Sequence, residues 1–275
     1  MVGAFASVDA ALIPAEEATV GIDDIDFAYG YGVYETLKVR KGVLFFAERH
    51  EERLFFSASV IGMEHPWRPG QVVDAVVALV RANGVADCNV KVLLIGPRLY
   101  VMTLPPLFPT RSDLKAGGRA ITFEGERFYP QAKSLSMLVS TIAFRKARDA
   151  GAYDALLVNR HGEVTEGTRT NLFATDGRRV YTPPAYQVLA GVTKQTVSEV
   201  IRELGIPLEE RTLPAEGLGA WEGLFLTSTS TKIMPLRQVD EAEYDIPPVI
   251  GEIRRAYDAY LAEYAAGVPR IVDFD

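Results

Sequence analysis

Cysteine is almost absent from this chain: Cys88 stands alone among 275 residues. A single thiol rules out an internal disulfide, and a reducing, cytoplasmic setting is the expectation. Histidine is nearly as scarce. His50, His65 and His161 are the three present, none with a second histidine or a cysteine at ligand spacing, so no metal site is expected. No long basic run occurs and the net charge is −7, which argues against a nucleic-acid or anionic-membrane surface. No uninterrupted apolar stretch approaches the roughly 18 residues that a membrane helix needs. The opening MVGAFASVDAALIP has no basic residue ahead of its apolar part and carries Asp9, so a signal peptide is not expected either.

What is present is an ordinary globular mixture. At 48% hydrophobic and 24% charged residues, the chain is unsuited to disorder. Its length suffices for one large or two medium domains with full cores. GVYETLKVR (32–40), a KG turn and VLFF (43–46) predict a hairpin. ERHEERLFFSASVIGM (48–63) switches to helical spacing, with Leu54, Ala58 and Ile61 on one face. GQVVDAVVALVRAN (70–83) predicts a second helix closed by Gly84, and NVKVLLIG (89–96) a buried strand followed by a loop. PPLFPTRSDLKAGG (105–118) reads as a connector.

Beyond the connector, a strand is predicted over 121–128, a helix over 135–150, a DALLVN strand with an RHGE turn, and an FATDGRRVYT hairpin. A helix follows over 193–205, with Val197, Val200, Ile201 and Leu204 as its apolar stripe, then a GLFLTSTST strand and a last helix over 249–265. Strands often follow one another directly, which favours an α+β (α/β two-domain) fold over strict βαβ winding. The expected layout is an N-terminal α/β domain over 1–108, a connector over 109–120 and a C-terminal α/β domain over 121–275.

Four features carry chemistry, and each taken alone has an ordinary structural reading. Lys133, in PQAKSLSM, sits between a proline-marked strand end and a helix, where a lysine is either solvated or turned into a cleft. LTSTSTK (226–232) offers hydroxyls and amides to an anion, or is a polar edge. AGVTKQT (190–196) leads through Gly191 into a helix near Thr193; its first amides lack internal partners and seat a phosphate, unless Thr193 simply caps them. Arg53, beside Leu54, forks onto a phosphate or joins a surface ion pair. To these VTEGTRTNLF (164–173) adds an acid, Glu166, between strands where no hairpin needs one. Lysine, acid, helix start and Ser/Thr turn, in that order, equip a chain for a phosphorylated aldehyde cofactor with a ring nitrogen.

At this point the chain resembles the fold type IV pyridoxal phosphate enzymes. That family includes branched-chain and D-amino-acid aminotransferases, (R)-selective amine transaminases and aminodeoxychorismate lyases. The resemblance rests on FAYGYGVYETLKV (27–39), ERHEERL (48–54), AKSLSML (132–138), GAYDALLVNRHGEVTEGTRTNLF (151–173), YTPP (181–184), LAGVTKQTV (189–197) and FLTSTSTKIMP (225–235), seven blocks in family order. It implies a small N-terminal and a larger C-terminal domain with pyridoxal 5'-phosphate in the cleft between them, in a homodimer. It also implies roles. Lys133 matches the Schiff-base lysine, Glu166 the acid at the pyridine nitrogen, and Arg53 the phosphate arginine. Val192 and Thr193 match the helix-start phosphate contacts, Ser228 and Thr229 the second phosphate turn, and Leu189 the side chain packed on the ring.

The implied function is transfer of an amino group between an amino acid, D- or branched-chain L-, and a 2-keto acid in two half-reactions. The competing expectations are a 4-amino-4-deoxychorismate lyase, an (R)-selective amine transaminase and a catalytically silent cofactor-binding protein; intact Lys133, Glu166 and Arg53 weigh against the last. Substrate contacts are expected from Tyr34, Thr36 and Lys38, which alternate to one face of their strand, and from Lys91, Arg98 and Ser230. Lys91, in its V-K-V strand, is similar to the lyases. Where many aminotransferases carry an Arg-Gly pair after that strand, this chain has GPRLYVMTLPP (96–106).

Overall fold

The protein is described from a computed structural model covering residues 1–106, 108 and 110–273. Leu107 and Pro109 of the expected connector, and the last two residues of the expected C-terminal domain, lie outside the described residues. The chain forms two compact units. One takes Met1–Leu107, Ala132–Met137 and Tyr264–Asp275; the other takes Phe108–Gln131 and Leu138–Glu263.

The first unit carries β1 (Phe5–Val8), β2 (Ala11–Pro14), α1 (Ile25–Ala28), β3 (Val33–Arg40), β4 (Val43–Phe45), α2 (Ala47–Val60), α3 (Gln71–Asn83), β5 (Cys88–Ile95) and β6 (Arg98–Leu104). Its sheet is antiparallel in the order β2-β1-β6-β5-β3-β4. Alternation along β3 sends Val33, Leu37 and Val39 into the core with Leu54 and Ala58 of α2 and Val76, Leu79 and Val80 of α3. Tyr34, Thr36 and Lys38 therefore share the opposite face. The carboxylate of Glu51 accepts from the Gly70, Val72 and Val73 amides and so supplies, from α2, the cap that α3 lacks locally.

The loop expected after NVKVLLIG is a strand instead. Gly96 takes a left-handed φ of +53°, the chain reverses, and Arg98 pairs Ile95. Leu99 and Val101 then continue the core. The Pro and Arg of GPRLYV mask this short hairpin in the sequence.

The second unit carries α4 (Arg111–Ala116), β7 (Gly118–Glu124), α5 (Leu138–Asp149), β8 (Asp154–Val158), β9 (Glu163–Gly167), β10 (Asn171–Thr175), β11 (Val180–Thr182), α6 (Val192–Glu203), β12 (Leu208–Glu210), β13 (Leu213–Pro214), β14 (Gly223–Ser228), β15 (Lys232–Val239), β16 (Ala242–Glu243) and α7 (Pro248–Gly267), the last turn of which groups with the first unit. The strands run β12-β11-β10-β14-β15-β7-β8-β9-β13, with β16 beside β15. The path also closes on itself, because β9 pairs β10 at Glu166 and Asn171. Phe173 and Phe225, opposite each other on β10 and β14, stack with centroids 4.9 Å apart and no exposure.

These contacts divide the chain otherwise than into two continuous stretches joined over 109–120. The Pro- and Gly-rich stretch holds α4 and the start of β7, whose Gly118 pairs Leu236 of β15. Residues 132–137 return to the first unit, bound by the Tyr34 amide to the Lys133 carbonyl at 2.9 Å and the Leu135 amide to the Gly32 carbonyl at 2.8 Å. Gly32 must be glycine there. An added Cβ would lie 2.8 Å from the Leu135 side chain and 2.9 Å from the Leu94 carbonyl.

Candidate active site

In the second unit the acid of VTEGTRTNLF is Glu166, next to last in β9 and 5% exposed. Its carboxylate is held by three donors. Arg127 Nε reaches Oε1 at 2.9 Å, while the Leu189 amide and Asn171 Nδ2 reach Oε2 at 3.1 and 3.3 Å. Arg127, itself nearly buried, is fixed by donating Nη2 to the Pro130 carbonyl. A buried carboxylate supplied with charged and amide donors keeps one orientation.

The turn after Glu166 is equally fixed. Asp154 accepts from the Thr168 amide at 3.2 Å, the Thr168 hydroxyl, and the Thr170 hydroxyl at 2.9 Å. Burial pushes the Asp154 carboxyl above the usual range, against the pull of those hydroxyls. A Cβ on Gly167 would meet Thr170 Oγ at 2.1 Å, so only glycine lets the turn close. Arg169 leaves this crowded turn: it is exposed, its guanidinium 4.1 Å from the Phe144 ring.

The start of α6 departs from the expected Thr193 cap. Gly191 is the N-cap, no side chain caps the helix, and Val192 and Thr193 are its first residues. The leading amides thus keep their positive end for an anion. Gly191 cannot be larger, since its Cβ would lie 2.0 Å from Asn171 Oδ1. Asn171 thereby ties α6 to Glu166, donating also to the Leu189 carbonyl at 2.9 Å. Thr193 and Thr196 share hydrogen bonds with the buried phenol of Tyr257, which burial pushes up to about 12. Ser228 ends β14, and Thr229 and Ser230 stand half-exposed in the turn to β15. Thr227 lies opposite Asn171, and its hydroxyl is buried with no hydrogen-bond partner among the described residues.

In the first unit, Lys133 donates its amide to Ser57 Oγ of α2 at 3.0 Å. Its Nζ lies 4.5 Å from the centroid of the Tyr34 ring, and Lys91 Nζ lies 3.5 Å from the same ring. Burial holds the Lys91 ammonium below the usual lysine range, and the charge of Lys133 pushes the same way. Thr36 pairs Lys91 across the strands, and Lys38 lies 5.2 Å from the Phe45 ring. Tyr34, Thr36, Lys91 and Lys133 are therefore gathered.

Arg53 is on the other face of β3, forked onto Glu35 at 2.6 and 2.8 Å, with His50 Nδ1 2.8 Å from the same carboxylate. Burial opposes charge on Glu35, but Arg53 and His50 outweigh it and hold the carboxyl far below the usual range. Arg98 is not with the others. Its guanidinium is taken by Asp9 of the β1–β2 turn at 2.7 Å, both side chains well exposed.

Sequence reasoning missed Arg127, Asn171, Asp154 and the Glu35–His50 pair. Asn171 and Asp154 stood inside the quoted family blocks, and Glu35 inside VYETLKV, so the signal was present; Arg127 in EGERFYP had none.

The sequence pattern of the amino-transferase class IV family matches residues 32–239. The chain belongs to that family. The D-alanine aminotransferase of Bacillus licheniformis is 28% identical over 245 residues, covering 83% of this chain and 86% of the relative. The branched-chain aminotransferase of Thermoproteus uzoniensis, solved with norvaline, superposes with a TM-score of 0.86 at 27% identity over 93% and 94% of the two chains. A branched-chain amino acid aminotransferase of T.th., solved with pyridoxamine 5'-phosphate, has the same fold at a TM-score of 0.88 and 24% identity, over 98% and 97% of the two chains. This class IV aminotransferase is accordingly a fold type IV enzyme, and its cofactor is pyridoxal 5'-phosphate.

The residues present suit that group. A caged carboxylate is fit to face a protonated ring nitrogen, an uncapped helix start with no room for a Cβ is fit for a phosphate, and a lysine stands on an aromatic ring in a cationic setting. Among the described residues no cluster is fit to hold a metal, and no helix is long and apolar enough to cross a membrane.

Proposed function

We propose that this class IV aminotransferase moves the amino group of a D-amino acid or a branched-chain L-amino acid to a 2-keto acid, with Lys133 as its catalytic residue. The observation that carries the site assignment is the cage on Glu166, three donors spent on orienting one buried carboxylate. Pyridoxal phosphate supplies an aldehyde to carry the amino group and a ring to take up the electron pair left at the substrate Cα. The caged Glu166 carboxylate would face the ring nitrogen and favour the protonated form of the ring. Lys133 Nζ takes the Cα proton as general base and later returns it as general acid. Arg53, the Val192 and Thr193 amides, and Ser228 with Thr229 bind the phosphate, and Leu189 packs on the ring. Tyr34, Thr36, Lys38, Lys91 and Ser230 line the substrate side.

A homodimer completes this reading. Ile22, Ile25 and Tyr29 are 103%, 60% and 80% exposed within a few residues, an apolar patch suited to a second copy of the chain.

The test is a half-reaction screen. The holoenzyme is mixed with D-alanine, D-glutamate, L-leucine, L-glutamate and (R)-1-phenylethylamine while the long-wavelength cofactor band is followed. Loss of the band with D-alanine or L-leucine is expected. No response to any of the five, with release of pyruvate and 4-aminobenzoate from aminodeoxychorismate, would overturn the reading.

A further inference from the structure

Tyr153 lies just ahead of β8, and nothing in the proposed chemistry uses it. Its phenol shares a 2.5 Å hydrogen bond with the Thr231 hydroxyl and also bonds the Ser228 hydroxyl. The Thr231 amide in turn donates to Ser228 Oγ at 3.1 Å. These three residues bracket the turn between β14 and β15, where Ser228 pairs Lys232 and Thr229, Ser230 and Thr231 make the loop. Thr231 is buried, whereas Thr229 and Ser230 are half-exposed. Such a run of hydroxyls has several ways to bond internally. The phenol claims the hydroxyls at the two ends.

Tyr153 is itself well held. Its amide donates to the Arg119 carbonyl at 2.8 Å, and Gly118 passes so close that an added Cβ there would lie 3.3 Å from Tyr153 Cβ. Arg169 lies 5.7 Å from its ring. Burial pushes the phenol above the usual tyrosine range, so it stays a neutral hydroxyl at neutral pH and brings no negative charge near a phosphate.

We propose that Tyr153 is the positioning residue of the second phosphate seat, fixing Ser228 and Thr231 so that Thr229 is presented to the cofactor phosphate. This rests on the proposed role of Thr229. The experiment separates the two. The full-length chain, stripped of cofactor, is titrated with pyridoxal 5'-phosphate and with pyridoxal, which lacks the phosphate.

Tyr153→Phe removes the bonds to both Thr231 and Ser228 and is expected to weaken pyridoxal phosphate about five- to tenfold while leaving pyridoxal binding unchanged. Thr231→Val removes one of those two bonds and keeps the one to Ser228. It should weaken pyridoxal phosphate by part of that factor, with the double variant no weaker than Tyr153→Phe alone, and it carries the test if Tyr153→Phe fails to fold. Equal weakening of both ligands would mean a general packing role and overturn the proposal. If Thr229→Val lowers the preference for the phosphorylated ligand while Tyr153→Phe does not, the seat stands and Tyr153 has no part in it. If neither variant lowers that preference, the phosphate assignment of this turn falls, and this inference with it.

Discussion

At the scale of single residues, Arg127 fixes Glu166, the acid proposed to face the cofactor ring nitrogen. Replacing Glu166 by Gln keeps the size of the side chain, removes its charge and turns one acceptor oxygen into an NH2 that faces a donor. The cofactor should remain bound while the step that breaks the Cα–H bond slows by about a hundredfold, the lower range for a lost proton-transfer aid; an unchanged half-reaction rate with α-deuterated substrate would count against the electron-sink role. Arg127→Met does something different. It leaves a buried carboxylate with its charged partner gone, which costs about 3–5 kcal/mol of stability. Denaturant midpoints measured with and without cofactor should both fall. Arg169, the large residue of the GTRT turn, belongs to neither effect, because it lies outside on Phe144.

At the scale of elements, two helix starts have no local side-chain cap: Glu51 serves α3 from α2, and the leading amides of α6 stay open. α6 has glycine where a serine or threonine would ordinarily cap. Gly191→Ala should displace Asn171, whose Oδ1 stands 2.0 Å from the new methyl, and so loosen Glu166 and the phosphate amides together. The expected readout is weaker cofactor binding with a shifted absorption maximum. Weaker binding at an unshifted maximum would say that Asn171 does not transmit the change.

Most of these elements were legible in the sequence. The hairpin over 32–46, the helices ending at Gly84 and Gly205, and the blocks around Lys133 and Glu166 announce themselves through period, turn residues and motif. β6 was hidden because RLYVMTL follows a Gly-Pro pair and reads as loop. Arg127 was hidden because its partner is 39 residues away and nothing local marks it. The return of residues 132–137 to the first unit was hidden for the same reason. It is made by bonds to Gly32 and Tyr34, and a linear pass along the chain cannot see bonds across a hundred residues.

At the scale of the whole molecule, acid should destabilise the protein in two stages. Burial holds His50 below its ordinary value of 6.5, so the unfolded chain takes up that proton first and stability falls as pH drops below 6.5. Glu35, held far below its ordinary 4.5, adds stability that is present above 4.5 and is lost as pH falls further toward its folded value. His50→Asn should flatten the first stage in a plot of unfolding free energy against pH, and a plot unchanged between pH 6.5 and 5 would remove His50 from the account. The exposed patch at Ile22, Ile25 and Tyr29 makes a prediction at the same scale. Sedimentation should give a dimer for the natural chain and a monomer for Ile25→Glu.

The strand path that closes at Glu166 and Asn171 sets an order of events in time. The ring contains the pairing of Gly118 with Leu236, among the slowest kinds of contact for a chain to find. The donors on Glu166 come from Asn171, Leu189 and Arg127, near it in the chain, whereas the Ser228–Thr229 turn is brought to the same sheet by the long-range pairing of β10 with β14. A refolding chain should therefore regain its helices and hairpins well before it can recognise its cofactor. Added early, the cofactor would have nothing to bind and would not hasten folding; it would act at the end, as a latch on a ring already shut.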